Sequence, residues 1–153
     1  MIMAGHNAVQ DYLRQRGCAE HVVRGGLVGL LERWERVVDE VAAGYPFGLD
    51  DYLNDMDGRE IIEAVLQIAA PREREAAAAR LATADGKLHE LVAAAVGCLW
   101  GAAAARENGW TPERQWWYFT SPRRPGVALQ RDLEETLFPI PDTLSSGKEE
   151  EAP

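Results

Sequence analysis

Apolar residues recur at intervals of three and four along almost the whole chain, and this spacing most constrains its fold. The clearest run extends from Val23 to Val41 and includes Leu27, Leu30 and Trp34. Such spacing places apolar side chains on one face of an α-helix, and no stretch alternates like a half-buried strand. A chain of 153 residues is long enough for one domain with a hydrophobic core. The sequence therefore predicts an all-α, single-domain bundle of about five to seven helices.

One internal helix boundary is indicated by Asp57. Glu60 follows it three residues later, which is a variant of the capping box found where helices begin. We therefore expect a short helix that ends at Met56 and a separate helix from Asp57 to Ala69. The acidic residues before Gly58 resemble part of a calcium-binding loop, but the ligands at both ends of such a loop are missing.

A second boundary is predicted in the apolar pattern that follows Pro71, a residue suited to the first position of a helix. Unbroken continuation to Arg106 would give a helix about 55 Å long at about 1.5 Å per residue. Because this exceeds a compact domain of this size, Asp85-Gly86 is expected to break or bend the helix. The last helix is predicted over 127–138, so that residues 1–138 form the helical domain and 139–153 a disordered acidic tail.

The net charge of −9 is unevenly distributed along the chain. The segment 50–63 has six acidic residues and Arg59, a local charge of −5, and the residues from Asp142 onward contribute −3. This balance does not favour binding to nucleic acid or to an anionic membrane surface. No apolar run reaches the length of a membrane span, and the N-terminal residues lack the order of a signal peptide.

Cysteine and basic-residue usage indicate a cytoplasmic bacterial protein. Cys18 and Cys98 form neither a disulfide framework nor a CxxC motif, which favours thiols in a reducing compartment. Only Lys87 and Lys148 among the 16 basic residues are not Arg, a bias typical of GC-rich bacterial genomes. We therefore expect a cytoplasmic location and no membrane association.

The leading functional hypothesis is contact with another protein through an acidic face. This predicted acidic face combines carboxylates with aromatic residues around them, a composition that suits a basic protein partner. Its expected members are Tyr45, Phe47, Asp50, Asp51, Tyr52 and Asp55. An immunity, adaptor or regulatory protein would act in this way.

A second contact surface is predicted around Trp116 and Trp117. Thr111-Pro112 fits the cap and first position of a short helix that includes both rings. Adjacent residues of one helix do not both face the core, so at least one ring is expected at the surface beside Arg123 and Arg124. Exposed Trp with Arg is typical of interfaces, and this surface would serve a second contact or a homodimer.

An alternative class is a metal-dependent hydrolase of nucleotides or phosphate esters. The motifs Glu32-x-x-Glu35 and Glu60-x-x-Glu63 resemble those of the all-α nucleotide pyrophosphohydrolases, whose inward carboxylates hold Mg²⁺. If this hypothesis holds, the expected metal ligands are Glu35, Asp39, Glu60 and Glu63; otherwise no metal site is expected. A helical wheel places three of the four motif carboxylates away from the apolar stripes, which favours a solvated face. We assign no catalytic residue.

A third hypothesis is the binding of a small ligand in a Trp-lined pocket. It requires a sizeable concavity beside Trp34, Trp100 or Trp110. The three histidines show none of the spacings of zinc or di-iron sites, so neither a metal nor another cofactor is expected. The sequence therefore favours a binding protein and leaves an enzyme undecided.

Overall fold

A computed structural model describes residues 7–137, in which helices predominate. The elements are, in chain order, α1 (Ala8–Gln15), α2 (Glu20–Ala42), α3 (Leu49–Ile68), α4 (Pro71–Leu91), β1 (Val92–Ala94), α5 (Ala102–Asn108), a 3-10 helix (Trp116–Tyr118), β2 (Thr120–Pro122) and α6 (Val127–Leu137). The predicted all-α bundle is confirmed. The tail predicted over 139–153 lies outside the described residues.

Helix α2 packs against α1, α3 and α4 and carries much of the hydrophobic core. Its buried side chains recur at intervals of three and four, as the sequence predicts, and include Leu27, Leu30 and Trp34. Near its start, α2 is kinked at Gly26, whose φ of 59° lies in the left-handed region. Glycine adopts this conformation without the steric cost that a Cβ atom would bring.

Helix α3 is continuous, so the helix boundary predicted at Asp57 is wrong. The Asp57 carboxylate does not cap a helix; it accepts hydrogen bonds from the Tyr118 hydroxyl at 2.6 Å and from Trp100 Nε1 at 3.1 Å. The N-terminus of α3 is bonded by Asp132 of α6, whose Oδ2 accepts from the Leu49 N–H at 3.0 Å. A side chain from α6 therefore takes the place of a local cap at the beginning of α3.

Helix α4 begins with Pro71 at its first position, as predicted, but the break predicted at Asp85-Gly86 is wrong. Asp85 accepts hydrogen bonds from Arg59 of α3 and from the Trp34 indole of α2. These bonds fix α4 against two neighbouring helices at the position of the expected break. The helix ends at Leu91 instead, where the chain enters β1.

A short antiparallel ribbon of β1 and β2 follows, with Val92 opposite Pro122. Each strand has three residues, too few to produce an alternating pattern in the sequence. The 3-10 helix before β2 corresponds to the short helix predicted after Thr111, and it buries Trp117 and Tyr118 against α3. The ribbon and the 3-10 helix thereby bring two aromatic side chains to the middle of α3.

Two further expectations concern membranes and disulfides. Within residues 7–137, no helix combines the length and the apolar character needed to cross a membrane. Cys18 is partly buried and Cys98 is buried, and both are free thiols.

Candidate functional site

A cavity of about 320 Å³ lies between α2 and α3, close to the junction of α1 and α2. Its apolar wall includes Leu30, Trp34 and Val37 of α2 and Ile61 of α3. The three α2 residues are spaced at i, i+4 and i+7, so one face of the helix supplies this wall. A cavity of this size with a mainly apolar wall is typical of small-molecule sites.

The α3 side of the cavity is shaped by Gly58. Asn54, Gly58 and Ile61 share one face of α3, and Asp55 and Asp57 flank that face on opposite sides, at about 100° per residue. A Cβ atom added at Gly58 would meet no other atom within 4 Å, so the space above this glycine is open. The helix therefore presents an open strip between two carboxylates.

The Asp57 carboxylate is fixed by two neutral donors, Tyr118 and Trp100, which both bond to Oδ1. Burial, and then the hydrogen bond to Asp57, raise the pKa of the Tyr118 hydroxyl well above its usual range, so it remains a donor. Among residues 7–137, no hydrogen bond to Asp57 Oδ2 and no ion pair of Asp57 is found. Asp57 is thus a cavity-lining carboxylate held by two neutral donors at Oδ1, and its Oδ2 has no hydrogen-bond partner among the described residues.

Both oxygens of the Asp55 carboxylate, in contrast, have partners within the protein. Its Oδ2 accepts a hydrogen bond from the Tyr45 hydroxyl at 2.5 Å, and its Oδ1 lies 3.4 Å from the Arg33 guanidinium. Burial and then this hydrogen bond raise the pKa of Tyr45 above its usual range, so Tyr45 also remains a donor. The two carboxylates of the cavity therefore differ, because only Asp55 has a cationic partner.

An ion-pair network centred on the buried Arg59 contacts the cavity wall through Trp34. The Arg59 guanidinium donates to Asp85 at 2.8 and 3.2 Å and to Glu63 at 2.9 Å, and it lies 4.4 Å from the centre of the Trp117 ring. Trp34 Nε1 donates to the same Asp85 carboxylate at 3.0 Å. Since Trp34 also forms part of the cavity wall, the network fixes one wall of the cavity in place.

The members of the predicted acidic face occupy different environments. Tyr45 and Tyr52 are fully buried, and Asp55 is mostly covered. Phe47, Asp50 and Asp51 are exposed, with the Phe47 ring 46% exposed. The exposed remainder of the predicted acidic face is therefore Phe47, Asp50 and Asp51.

The second predicted contact surface is divided in the same way. Trp117 is buried beneath Arg59, whereas Trp116 is partly exposed and its ring centre lies 3.8 Å from that of His89. Arg123 and Arg124 are both exposed. One of the two adjacent rings thus faces the core and the other lies nearer the surface.

The four carboxylates of the hydrolase hypothesis have separate partners. Glu35 pairs with Arg80 at 2.5 and 3.1 Å, which lowers the pKa of the Glu35 carboxyl, and it lines a smaller cavity with Asp39. Glu63 bonds to Arg59, and Glu60 has a buried oxygen without a hydrogen-bond partner. The described part of the chain contains no group of three or more His, Cys, Asp or Glu residues that could hold a metal ion.

Sequence reasoning did not assign a role in a site to Asp57, Gly58 or Arg59. A signal was present for Arg59, because it follows Tyr52 and Met56 at helical spacing and so occupies a position of the apolar series on α3. No comparable signal identified Asp57, whose partners Tyr118 and Trp100 are 61 and 43 residues away.

Comparison with known proteins gave no relative from which a function could be transferred. None of the protein-family models matches the chain, and neither a curated protein nor a solved structure is detectably similar to it. The function is therefore argued from the geometry of the site.

Proposed function

We propose that this protein binds a small organic molecule in the cavity between α2 and α3. The observation that carries the proposal is the cavity of about 320 Å³ beside Trp34, with an apolar wall and an unneutralised carboxylate at its edge. The sequence hypothesis of a Trp-lined pocket required a concavity of this kind. Binding sites commonly combine such apolar walls with a few fixed polar groups that orient the ligand.

The apolar wall would supply affinity, because a ligand buries its own apolar surface against Leu30, Val37 and Ile61. The wall is preorganised, since Trp34 is held by its bond to Asp85 and needs no rearrangement before binding. The fixed carboxylate of Asp57 would give the ligand its orientation.

The test is to fill the cavity without disturbing the helix. In the Gly58→Leu variant, a side chain enters the open space above α3, where a Cβ atom meets nothing within 4 Å. The matched control is Gly86→Leu, which also places Leu in open space within a helix but lies outside the cavity lining. Both changes replace glycine in a helix interior, so both should gain similar helix propensity.

The measurement is a ligand-observed NMR screen of neutral, cationic and anionic aromatic fragments, followed by thermal shift of the hits. We expect hits that bind the wild type and Gly86→Leu but not Gly58→Leu. A screen without any wild-type hit would contradict the proposal, and so would hits that bind Gly58→Leu equally well.

A second candidate is the protein-contact role expected from the sequence, in which a bacterial cytoplasmic adaptor, regulatory or immunity protein meets a basic partner or a second copy of itself. It is favoured by the exposed remainder of the predicted acidic face. The Phe47 ring is half-exposed there, and its edge-to-face contact with Tyr45 at 5.7 Å fixes its position. Rigid, exposed aromatic rings beside charges are typical of interfaces.

Charge reversal tests this second candidate. Asp50→Lys with Asp51→Lys should abolish cross-linking to a basic partner in the native cell, whereas Glu90→Lys with Glu107→Lys, at exposed positions on α4 and α5, should not. Equal loss in both double variants would show that only net charge matters. Sedimentation equilibrium of the wild type tests the homodimer directly.

A further inference from the structure

We infer that the ligand of this cavity is a small organic cation with an apolar body, and that its positive group is bound by Asp57. This inference rests on the proposed function and specifies the class of ligand. It depends on three features of the cavity, namely its charge balance, the fixed orientation of one carboxylate and the position of the apolar wall.

The charge balance of the cavity favours a cation. Its titratable lining groups are, apart from Cys18, two carboxylates, those of Asp55 and Asp57, one guanidinium, that of Arg33, and the imidazole of His21, which has no hydrogen bond or ion pair to Asp57. Arg33 pairs with Asp55, which leaves Asp57 without a positive partner among the described residues. Arg16 acts electrostatically on nearby Tyr118 and Glu60, but it does not line the cavity. A cationic ligand would therefore supply the positive partner that the Asp57 carboxylate lacks.

The orientation of Asp57 favours direct bonding to a ligand. Tyr118 and Trp100 both donate to Oδ1, and because both donors are neutral, the charge of the carboxylate is not compensated. Oδ2 accepts no hydrogen bond from a described residue and is available to an ammonium or amidinium donor. An alcohol and an ammonium can both donate a hydrogen bond to this carboxylate, but only the ammonium adds the attraction between opposite charges, so an ammonium should be preferred to an alcohol.

The apolar wall specifies the rest of the ligand. Leu30, Val37 and Ile61 provide hydrocarbon surface, and Trp34 adds an aromatic ring that is already fixed by Asp85. An inorganic cation would leave this wall unused, and the described residues lack the three or more ligands expected at a metal site. An alkyl- or arylammonium ion would use the carboxylate and the wall together.

Three probes of similar shape and different charge test the inference by isothermal titration calorimetry: 2-phenylethylammonium, 2-phenylethanol and 3-phenylpropionate. On the wild type, we expect the ammonium to bind about tenfold or more tightly than the alcohol, and the carboxylate not to bind. Asp57→Asn should remove this preference and leave the affinity for the alcohol unchanged. The control, Asp50→Asn at an exposed position, should bind all three probes as the wild type does.

The outcomes separate the inference from the proposed function. If ammonium and alcohol bind the wild type equally and both are lost in Gly58→Leu, the cavity is a binding site and the inference of a cation is wrong. If none of the three probes binds the wild type, the inference of a cation is wrong, and the fragment screen described above decides the proposed function. Loss of the ammonium preference in Asp50→Asn as well as in Asp57→Asn would indicate only general attraction to an acidic surface and overturn the inference. The comparison of the three probes on the wild type does not depend on the folding of any variant.

Discussion

Removal of the Arg59 guanidinium should destabilise this protein more than removal of any exposed charge. Arg59 is 4% exposed, and its guanidinium bonds to Asp85 and Glu63 and packs on Trp117. In Arg59→Met the stem of the side chain remains, but the Asp85 carboxylate loses its cation while most of its surface stays covered. An acid left unpaired in this way must be solvated poorly or protonated, and both are unfavourable.

The size of the expected loss in unfolding free energy follows from how deeply the two acidic partners of Arg59 are buried. Breaking a buried ion pair by removing one member costs about 3–5 kcal/mol. Asp85 is 16% exposed and Glu63 is 42% exposed, so water compensates part of this loss. We therefore expect the free energy of unfolding of Arg59→Met to fall by about 3 kcal/mol, the lower end of that range.

The test is urea-induced unfolding followed by circular dichroism. The slope m of the unfolding free energy against urea concentration should be the same in the wild type and the variants. Arg80→Met is the matched control, because it removes an exposed Arg from its pair with Glu35 and should lower the midpoint much less than Arg59→Met does. Adding Asp85→Leu to Arg59→Met should recover part of the loss, since no uncompensated carboxylate remains. A loss below about 1 kcal/mol in Arg59→Met, the range of exposed pairs, would refute the reasoning.

Three further predictions concern stability. Burial, and then repulsion from Glu63, raise the pKa of Glu60, so its contribution to stability is complete at acid pH and is lost as the pH rises through the raised value. Urea unfolding at several pH values should therefore show that Glu60→Gln becomes more stable than the wild type as the pH approaches neutrality. The control Glu107→Gln, at an exposed position, should show no such gain. Gly126→Ala should lower the free energy of unfolding by about 1–3 kcal/mol, because its Cβ would overlap the carbonyl oxygen of Tyr45; Gly25→Ala, in open space, should raise it by up to about 1 kcal/mol. Burial raises the pKa of three tyrosines, so absorbance titration of the folded protein should show these three still un-ionised at about pH 11, and stability should fall above about pH 10 as the same tyrosines ionise in the unfolded chain. The three are Tyr45, Tyr52 and Tyr118.

The helical architecture could be predicted from the sequence because it depends on local spacing. The apolar series of α2 and the proline that begins α4 act within a few residues of themselves, and both predictions are confirmed. The two wrong boundaries, at Asp57 and at Asp85, have one physical cause. Both residues favour helix ends in short-range statistics, but each carboxylate is occupied by partners 26 to 61 residues away. Sequence spacing does not reveal which distant donor will take such an acid.

The candidate site is less predictable, because net charge along the chain carries no direction, whereas a helix distributes consecutive residues around its axis. The six acids of 50–63 suggested a single surface, but α3 directs them to different neighbours. Asp50 and Asp51 are exposed, Glu63 bonds to the buried Arg59, and Asp57 bonds to the 3-10 helix and to Trp100. Because these acids lie on different sides of α3, they do not form one continuous acidic face.

Alternate residues in the middle of α3 bond to different parts of the bundle. Asp55 bonds to α2 and to the segment before α3, Asp57 to the C-terminal ribbon region, and Arg59 to α4. These bonds account for a helix that continues through Gly58, because their combined stabilisation exceeds the cost of about 1 kcal/mol that glycine brings to a helix interior. They also fix what borders Gly58, since Arg59 is held by Asp85 of α4 and the Asp57 carboxylate is held at the edge of the cavity by Tyr118 and Trp100. What distinguishes Asp57 from the other acids of this segment is therefore its place in the fold, where it is fixed by neutral groups at the edge of a cavity and has no cation of its own.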